Sequence, residues 1–231
     1  MFLGECTLFE RGMLRVTVDE DGSRPADQHA QAGDHVVLRV GVAVRLRQRL
    51  ALPAAGADRP TILVFGDSLS AGYGIDVDQS WTSLLQARLG SQGYEHKVVN
   101  ASISGETTEG GATRIDAALE NFDPSVVVIA LGGNDGLRGF PPERMKGNLE
   151  TMISASRESG AEVVLLGIRI PPNYGQRYTQ AFEQVYRDLA AEHDVPWIEF
   201  FMDGVALNDE LMQDDGIHPN AEAQPVLLDN A

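Results

Sequence analysis

Thr61-Ile-Leu-Val-Phe-Gly-Asp-Ser-Leu-Ser70 is the stretch on which the fold turns. The run 61–65 is apolar without alternation, which suits a strand buried on both faces of a parallel sheet. Gly66 then allows a sharp turn. Downstream, strand and helix signals alternate. Helical spacing over 80–89 (Trp81, Leu84, Leu85, Leu89) is followed by a strand over 96–101 and a helix over 108–122, with Ile115, Leu119 and Phe122 on one face. A strand over 126–131 is the most β-branched of the set. A helix over 142–159 has Pro142 suited to its first turn. A strand over 162–168, a helix over 176–193 with Phe182, Val185, Tyr186 and Leu189 inward, and a strand over 196–200 complete the series. Five strands alternating with helices predict a parallel sheet covered on both faces. With right-handed crossovers the simplest arrangement is a flavodoxin-like three-layer α/β/α sandwich around a five-stranded parallel sheet. Ligands of such sheets bind beyond the carboxyl ends of the strands.

Upstream of Pro60 the text is irregular. Residues 19–34 are polar and turn-rich, 35–46 form a β-branched run readable as a strand pair or an edge strand, and 51–59 read as an Ala-rich linker with Pro53 and Gly56. The expected division is an unassigned extension over 1–59 and one α/β domain over 60–231. The 231 residues, 43% of them hydrophobic, suffice for one ordinary domain with a full core. The formal net charge is -16, and the imbalance is local: residues 1–60 hold eight basic and eight acidic side chains, leaving 10 basic and 26 acidic beyond them. An acidic domain repels phosphate backbones and anionic membranes, so nucleic acid is not an expected partner. Cys6 is the single cysteine, so no intramolecular disulfide can form. No run of about 18 apolar residues predicts a transmembrane helix. The expected assembly is a monomer or dimer.

Four blocks carry chemistry. Gly66-Asp67-Ser68-Leu69-Ser70 places a serine at a strand-to-helix turn, where its hydroxyl projects above the sheet edge and a helix N-terminus favours negative charge. The same serine also reads as a plain N-cap. Asp214-Asp215-Gly216-Ile217-His218-Pro219-Asn220 supplies a base, since a serine hydroxyl is a weak nucleophile until its proton is taken. The base needs an acceptor on its other ring nitrogen. Asp215 has the expected spacing, with Asp214 as a rival; a polar turn with a surface histidine is the simpler reading. His29, His35, His96 and His193 lack comparable neighbours. Ser102-Ile-Ser-Gly105 can offer the bare N–H of Gly105, and Leu131-Gly-Gly-Asn134 the side-chain amide of Asn134, as donors to an oxyanion. Each of these also reads as ordinary loop turning. Together, a nucleophile, a base, an orienting acid and two donors follow different strands on one sheet edge, which is the set an acyl-transfer site requires.

These blocks resemble the SGNH (GDSL) hydrolase family, whose four name-giving residues match Ser68, Gly105, Asn134 and His218. Phe65-Gly-Asp-Ser-Leu-Ser-Ala-Gly-Tyr-Gly74, Leu131-Gly-Gly-Asn-Asp-Gly-Leu-Arg-Gly139, Pro171-Pro-Asn-Tyr-Gly-Gln-Arg-Tyr178 and Asp215-Gly-Ile-His-Pro219 look like its arylesterase, thioesterase I and lysophospholipase L1 branch. The resemblance implies the SGNH hydrolase version of the sandwich and a serine esterase acting on short or medium acyl esters or thioesters through an acyl-enzyme. It implies Ser68, Asp215 and His218 as catalytic residues. The oxyanion hole would be Ser68 N–H, Gly105 N–H and the Asn134 side chain. Leu137, Phe140, Ile170, Pro172 and Tyr174 would line the substrate groove, and no metal or organic cofactor is implied.

The likeness starts at about Pro60, and the branch usually carries a short secretion signal there. Family habit therefore points to the periplasm or outside, whereas no visible export signal points to the cytoplasm. The branch also ends in a longer helix than the one expected here from Ala221 to Ala231, so part of the sheet surface is expected to lie less well covered. Two other readings stand beside the esterase: a carbohydrate O-deacetylase of the same superfamily, and a catalytically idle interaction module.

Overall fold

The structure is a computed structural model that describes residues 59–231. The β-branched run at 35–46 and the linker up to residue 58 lie outside the described residues. Strands β1 (Thr61–Gly66), β2 (Lys97–Asn100), β3 (Pro124–Ala130), β4 (Glu162–Leu166) and β5 (Trp197–Ile198) form one sheet in the order β2-β1-β3-β4-β5. Every pairing is parallel. The chain builds β2 to one side of β1 and β3, β4 and β5 to the other, so the direction of winding reverses at β1. Such a reversal opens a crevice above the neighbouring strand ends.

The expected flavodoxin-like three-layer sandwich is the observed one. The helices are α1 (Ser68–Ala71), α2 (Trp81–Ser91), α3 (Thr108–Phe122), α4 (Gly133–Leu137), α5 (Pro142–Glu158), α6 (Gln176–Glu192) and α7 (Gln224–Asn230). Right-handed crossovers put α3, α5 and α6 on one face, with α5 packed between the other two, and α2 with α7 on the opposite face. The strands at the centre read as apolar because both their faces are covered. Leu63, Val64, Phe65, Val127 and Ile129 are all buried, and each such side chain contributes roughly 1.5–3 kcal/mol of burial. Phe182, Val185, Tyr186 and Leu189 of α6 face this core as their spacing predicts. Among the described residues no helix is long and apolar enough to cross a membrane.

The departures from expectation have local causes. Phe122, expected on the inner face of α3, is exposed: the helix ends there, with Asp123 in the left-handed region at φ 40°, and the buried stripe is Ile115, Ala118 and Leu119. β5 pairs with β4 over two residues instead of five. The glycine-rich stretch after β3 reads as loop but forms α4. The C-terminal helix begins at Gln224 rather than Ala221. Its Leu227 and Leu228 are buried against the core, and the Asn230 amide donates to the Phe201 and Asp203 carbonyls at 3.0 and 2.8 Å.

One buried polar contact fixes the exit of β3. The Tyr186 hydroxyl, fully buried on α6, donates to the Leu131 carbonyl at 2.9 Å. The next residue, Gly132, has φ 124°, and a side chain there would collide with the Tyr186 hydroxyl. Chain direction after β3 thus depends on a glycine and a tyrosine 54 residues apart. Tyr186→Phe leaves that carbonyl buried and unpaired. It is expected to lower the unfolding free energy by about 1–3 kcal/mol in urea melts, with the far-UV spectrum unchanged; equal midpoints for the two proteins would refute it.

Candidate active site

β1 ends at Gly66, and the chain turns at once into α1. Asp67 is the N-cap: its Oδ1 accepts the Leu69 N–H at 3.0 Å. Ser68 is therefore the first residue of a helix, half-buried at the sheet edge. Its hydroxyl donates to His218 Nε2 at 2.9 Å, and His218 Nδ1 donates to Asp215 Oδ2 at 2.6 Å. With Nδ1–H committed to the carboxylate, Nε2 carries the lone pair that meets the hydroxyl. The structure thus brings together the serine, histidine and aspartate singled out in the sequence, and the carboxylate on the ring is that of Asp215, not Asp214.

The loop bearing His218 is shaped by its own aspartate. Asp215 Oδ1 accepts the N–H groups of Ile217 and His218 at 2.9 and 3.0 Å, a turn that folds residue 218 back over residue 215. The bond from the His218 ring, followed by these backbone donors, holds the Asp215 carboxyl down at about 2. It stays ionised and can stabilise a positive charge on the ring.

Two contacts that sequence reading missed fix this loop over the serine. Gln213 donates its amide to the Tyr73 and Pro219 carbonyls at 2.8 and 2.9 Å, and its N–H to the His218 carbonyl at 2.8 Å. The Tyr73 ring lies 4.4 Å from the His218 ring, centroid to centroid. Tyr73 lies in the quoted Phe65–Gly74 block, but its contact with the His218 loop joins positions more than a hundred residues apart, as does the Gln213 bond to the Tyr73 carbonyl.

Gly105 and Asn134 flank Ser68 because β2 and β3 flank β1. The Ile103 N–H donates to the Gly66 carbonyl at 3.0 Å, which lays the post-β2 loop against the serine turn. Gly105 sits third in the turn from Ile103 to Glu106 with φ 79°. A glycine in that position lets the N–H of the turn's central peptide stand free, facing outward. On the other side, Asn134 Nδ2 donates to Asp67 Oδ2 at 3.2 Å. Asp67 is almost fully buried, and burial pushes its carboxyl up to about 6 against the lowering effect of the Leu69 N–H, of His218 and of Asn134.

The two flanking loops are joined to each other. Asp135, also buried, accepts the Thr108 N–H at 2.9 Å and the Thr108 hydroxyl at 2.6 Å, and Asn148 donates to the same hydroxyl at 3.0 Å. Arg138 donates to the Gly105 carbonyl at 3.0 Å. Asn134, Asp135 and Arg138 of one short segment thus reach Asp67, the start of α3 and the Gly105 turn.

The expected groove residues divide. Leu137 and Phe140 are half-buried, and Pro172 and Tyr174 are exposed, on loops that meet: Tyr174 donates its hydroxyl to the Leu137 carbonyl at 2.8 Å, and Tyr178 to the Phe140 carbonyl at 2.6 Å. Ile170 is buried, unlike the other four. It lies in the core, packed beneath Gly136, because that glycine leaves space for its side chain. Of groups able to hold a metal, the described residues offer Glu150, Glu192 and His193, with ligand atoms within 4.8 Å of one another. Glu192 and His193 stand at the C-terminal end of α6 and Glu150 on α5, and the Lys146 ammonium already holds Glu192 at 2.7 Å.

The Asp215 carboxyl is expected to titrate near 2 in a carbon-detected NMR experiment. Its contribution to stability is present above the ordinary value of about 3.9 and is lost as pH falls through about 2. In His218→Ala the midpoint is expected to rise toward the ordinary value; an unchanged midpoint would show that the backbone donors alone depress it.

Known proteins place this geometry. Residues 64–225 match the GDSL-like lipase/acylhydrolase family. The chain is 50% identical over 181 residues to the esterase TesA of Pseudomonas aeruginosa, covering 78% of this chain and 90% of that protein. It is 47% identical over 180 residues to thioesterase 1/protease 1/lysophospholipase L1 of Escherichia coli K12, covering 78% and 84%. Among solved structures it resembles the psychrotrophic esterase EstA of Pseudoalteromonas, inhibited by monoethylphosphonate, with a TM-score of 0.72, 42% identity, and 75% and 94% of the two chains covered. A serine held by a histidine and an aspartate at the edge of a doubly wound sheet, over a matched length of this extent, has one reading: the chain belongs to the GDSL-like lipase/acylhydrolase family.

Proposed function

We propose that this protein is a serine esterase that hydrolyses short or medium acyl esters or thioesters through an acyl-enzyme on Ser68. The observation that carries the reading is the unbroken hydrogen-bonded line from Asp215 through His218 to the Ser68 hydroxyl, at 2.6 and 2.9 Å. Ser68 Oγ attacks the carbonyl carbon while His218 Nε2 takes its proton. Asp215 holds the ring in the required tautomer and balances the imidazolium charge. The carbonyl oxygen, now an oxyanion, is met by the Ser68 N–H at the start of α1, the Gly105 N–H and the Asn134 side-chain N–H. Collapse expels the alcohol or thiol, which receives the proton from His218. A water, deprotonated by His218, then attacks the acyl-enzyme and releases the acid and free Ser68.

The names of the matched relatives, an esterase and a thioesterase/lysophospholipase, support ester and thioester carbonyls as the substrate class. Leu137, Phe140, Pro172 and Tyr174 supply apolar surface beside the oxyanion loops for the acyl chain. An idle interaction module gains nothing from burying Asp67 and Asp135 at this edge with hydrogen bonds made to Asn134 and Thr108.

Hydrolysis of p-nitrophenyl esters from acetate to palmitate tests the reading. The wild type is expected to turn over with an optimum at short to medium chains, and Ser68→Ala to lose roughly 10⁴–10⁶-fold in kcat. Activity that survives Ser68→Ala would overturn it. Gly105→Ala forces a side chain into a left-handed position and turns the N–H away. It is expected to lower kcat by roughly 10²-fold with the melting temperature only slightly reduced; an unchanged kcat would remove Gly105 from the oxyanion hole.

A further inference from the structure

The most deeply buried carboxylate beside the nucleophile takes no part in the steps above. Asp67 is 2% exposed, and burying an ionised carboxylate is costly unless its oxygens are filled. Both oxygens are filled, by groups of different kinds. Oδ1 accepts the Leu69 N–H at 3.0 Å, and Oδ2 accepts Asn134 Nδ2–H at 3.2 Å. Capping explains the first contact only. Serine, threonine or asparagine cap a helix about as well as aspartate does, and none of them presents a second acceptor.

The second contact has a sign. A side-chain amide donates from one end and accepts at the other, and the two ends occupy nearly the same space. A carboxylate beside it attracts the NH₂ end and repels the carbonyl end. The backbone makes room for this pairing: a Cβ on Gly133 would lie 3.3 Å from Asp67 Oδ2. Resting on the reading of Asn134 as an oxyanion donor, we propose that Asp67 is a positioning residue that sets the orientation of the Asn134 amide. One N–H is held by Asp67 Oδ2, and the second stays free beside Ser68 for the oxyanion. With the amide reversed, a carbonyl oxygen would face the developing negative charge.

Asp67→Asn separates capping from orientation. If the new amide keeps its oxygen on the Leu69 N–H, its NH₂ group meets the NH₂ group of Asn134, and that amide must turn over. Asp67→Ser keeps a capping acceptor and removes the contact to Asn134, which covers the case of an Asp67→Asn protein that does not fold. Steady-state kinetics on a p-nitrophenyl ester, with thermal melts, would be measured for wild type, each Asp67 variant, Asn134→Ala and the double variants. Asn134→Ala is expected to lower kcat by roughly 10²–10³-fold. Each Asp67 variant is expected to lower kcat by roughly 10²-fold with KM within about threefold. In the Asn134→Ala background the same Asp67 change is expected to cost less than about twofold more, because its effect passes through the amide. Equal losses in both backgrounds, or a lowered melting temperature with unchanged kcat, would overturn the orienting role while leaving the esterase reading intact. An Asn134→Ala protein with wild-type kcat would instead remove Asn134 from the oxyanion hole, and the orienting role with it.

Discussion

The parallel pairing of β1 between β2 and β3 is the constraint on which the site depends. Parallel strands deliver their carboxyl ends to one edge, and neighbouring strands stand about 4.8 Å apart. The residues that follow these three strands therefore meet whatever their distance in sequence. Ser68 comes from the middle strand, Gly105 from one neighbour and Asn134 from the other. The loop with His218 enjoys no such guarantee. It follows β5, at the far edge of the sheet, and returns across the site. Its place is secured by side chains: Gln213 bonded to the Tyr73 carbonyl, and Gln224, whose amide oxygen accepts the Trp81 N–H at 3.0 Å.

The same edge is where the core turns polar. Asp67, Thr108 and Asp135 are as buried as the valines and leucines beneath them, and such groups persist only when their hydrogen bonds are made. Apart from the cap that Asp67 places on the Leu69 N–H, they are made across segments. The helix α4 shows this most plainly. Its sequence Gly133-Asn-Asp-Gly-Leu137 has weak helical propensity, so it is held from outside, by Asp67 on Asn134, Thr108 on Asp135 and Gly105 on Arg138. A site built this way gains rigidity at the atoms that matter for chemistry. It also links the nucleophile turn, the oxyanion loops and the start of α3 into one unit, in which no member is independent of the others.

Much of this was legible in the order of residues. The apolar runs of the central strands β1, β3 and β4 and the helices that cover them follow from periodicity, because a strand buried on both faces must be apolar throughout and a covering helix must be apolar on one side. The serine turn and the Asp215-Gly-Ile-His218 turn were legible for the same kind of reason: local hydrogen bonding shapes them, and short polar motifs record it. The reading went astray where a residue's place depends on what lies across from it. Phe122 has helical spacing but falls beyond the end of the packed face. Ile170 stands in a loop next to exposed prolines, yet is buried, because Gly136 of α4 leaves it a hole.

By itself, then, the sequence determined the parallel α/β architecture, the candidate nucleophile, base and orienting acid, and the edge at which they meet, since periodicity and short turns are local properties. Only the tertiary structure decided that Asp215 rather than Asp214 holds the ring, that Asp67 fills its second oxygen from Asn134, and that Asp135, Gln213 and Tyr186 brace the loops. Those facts depend on distances between segments far apart in the chain, and a hydrogen bond between them exists only once packing has fixed both partners within about 3 Å.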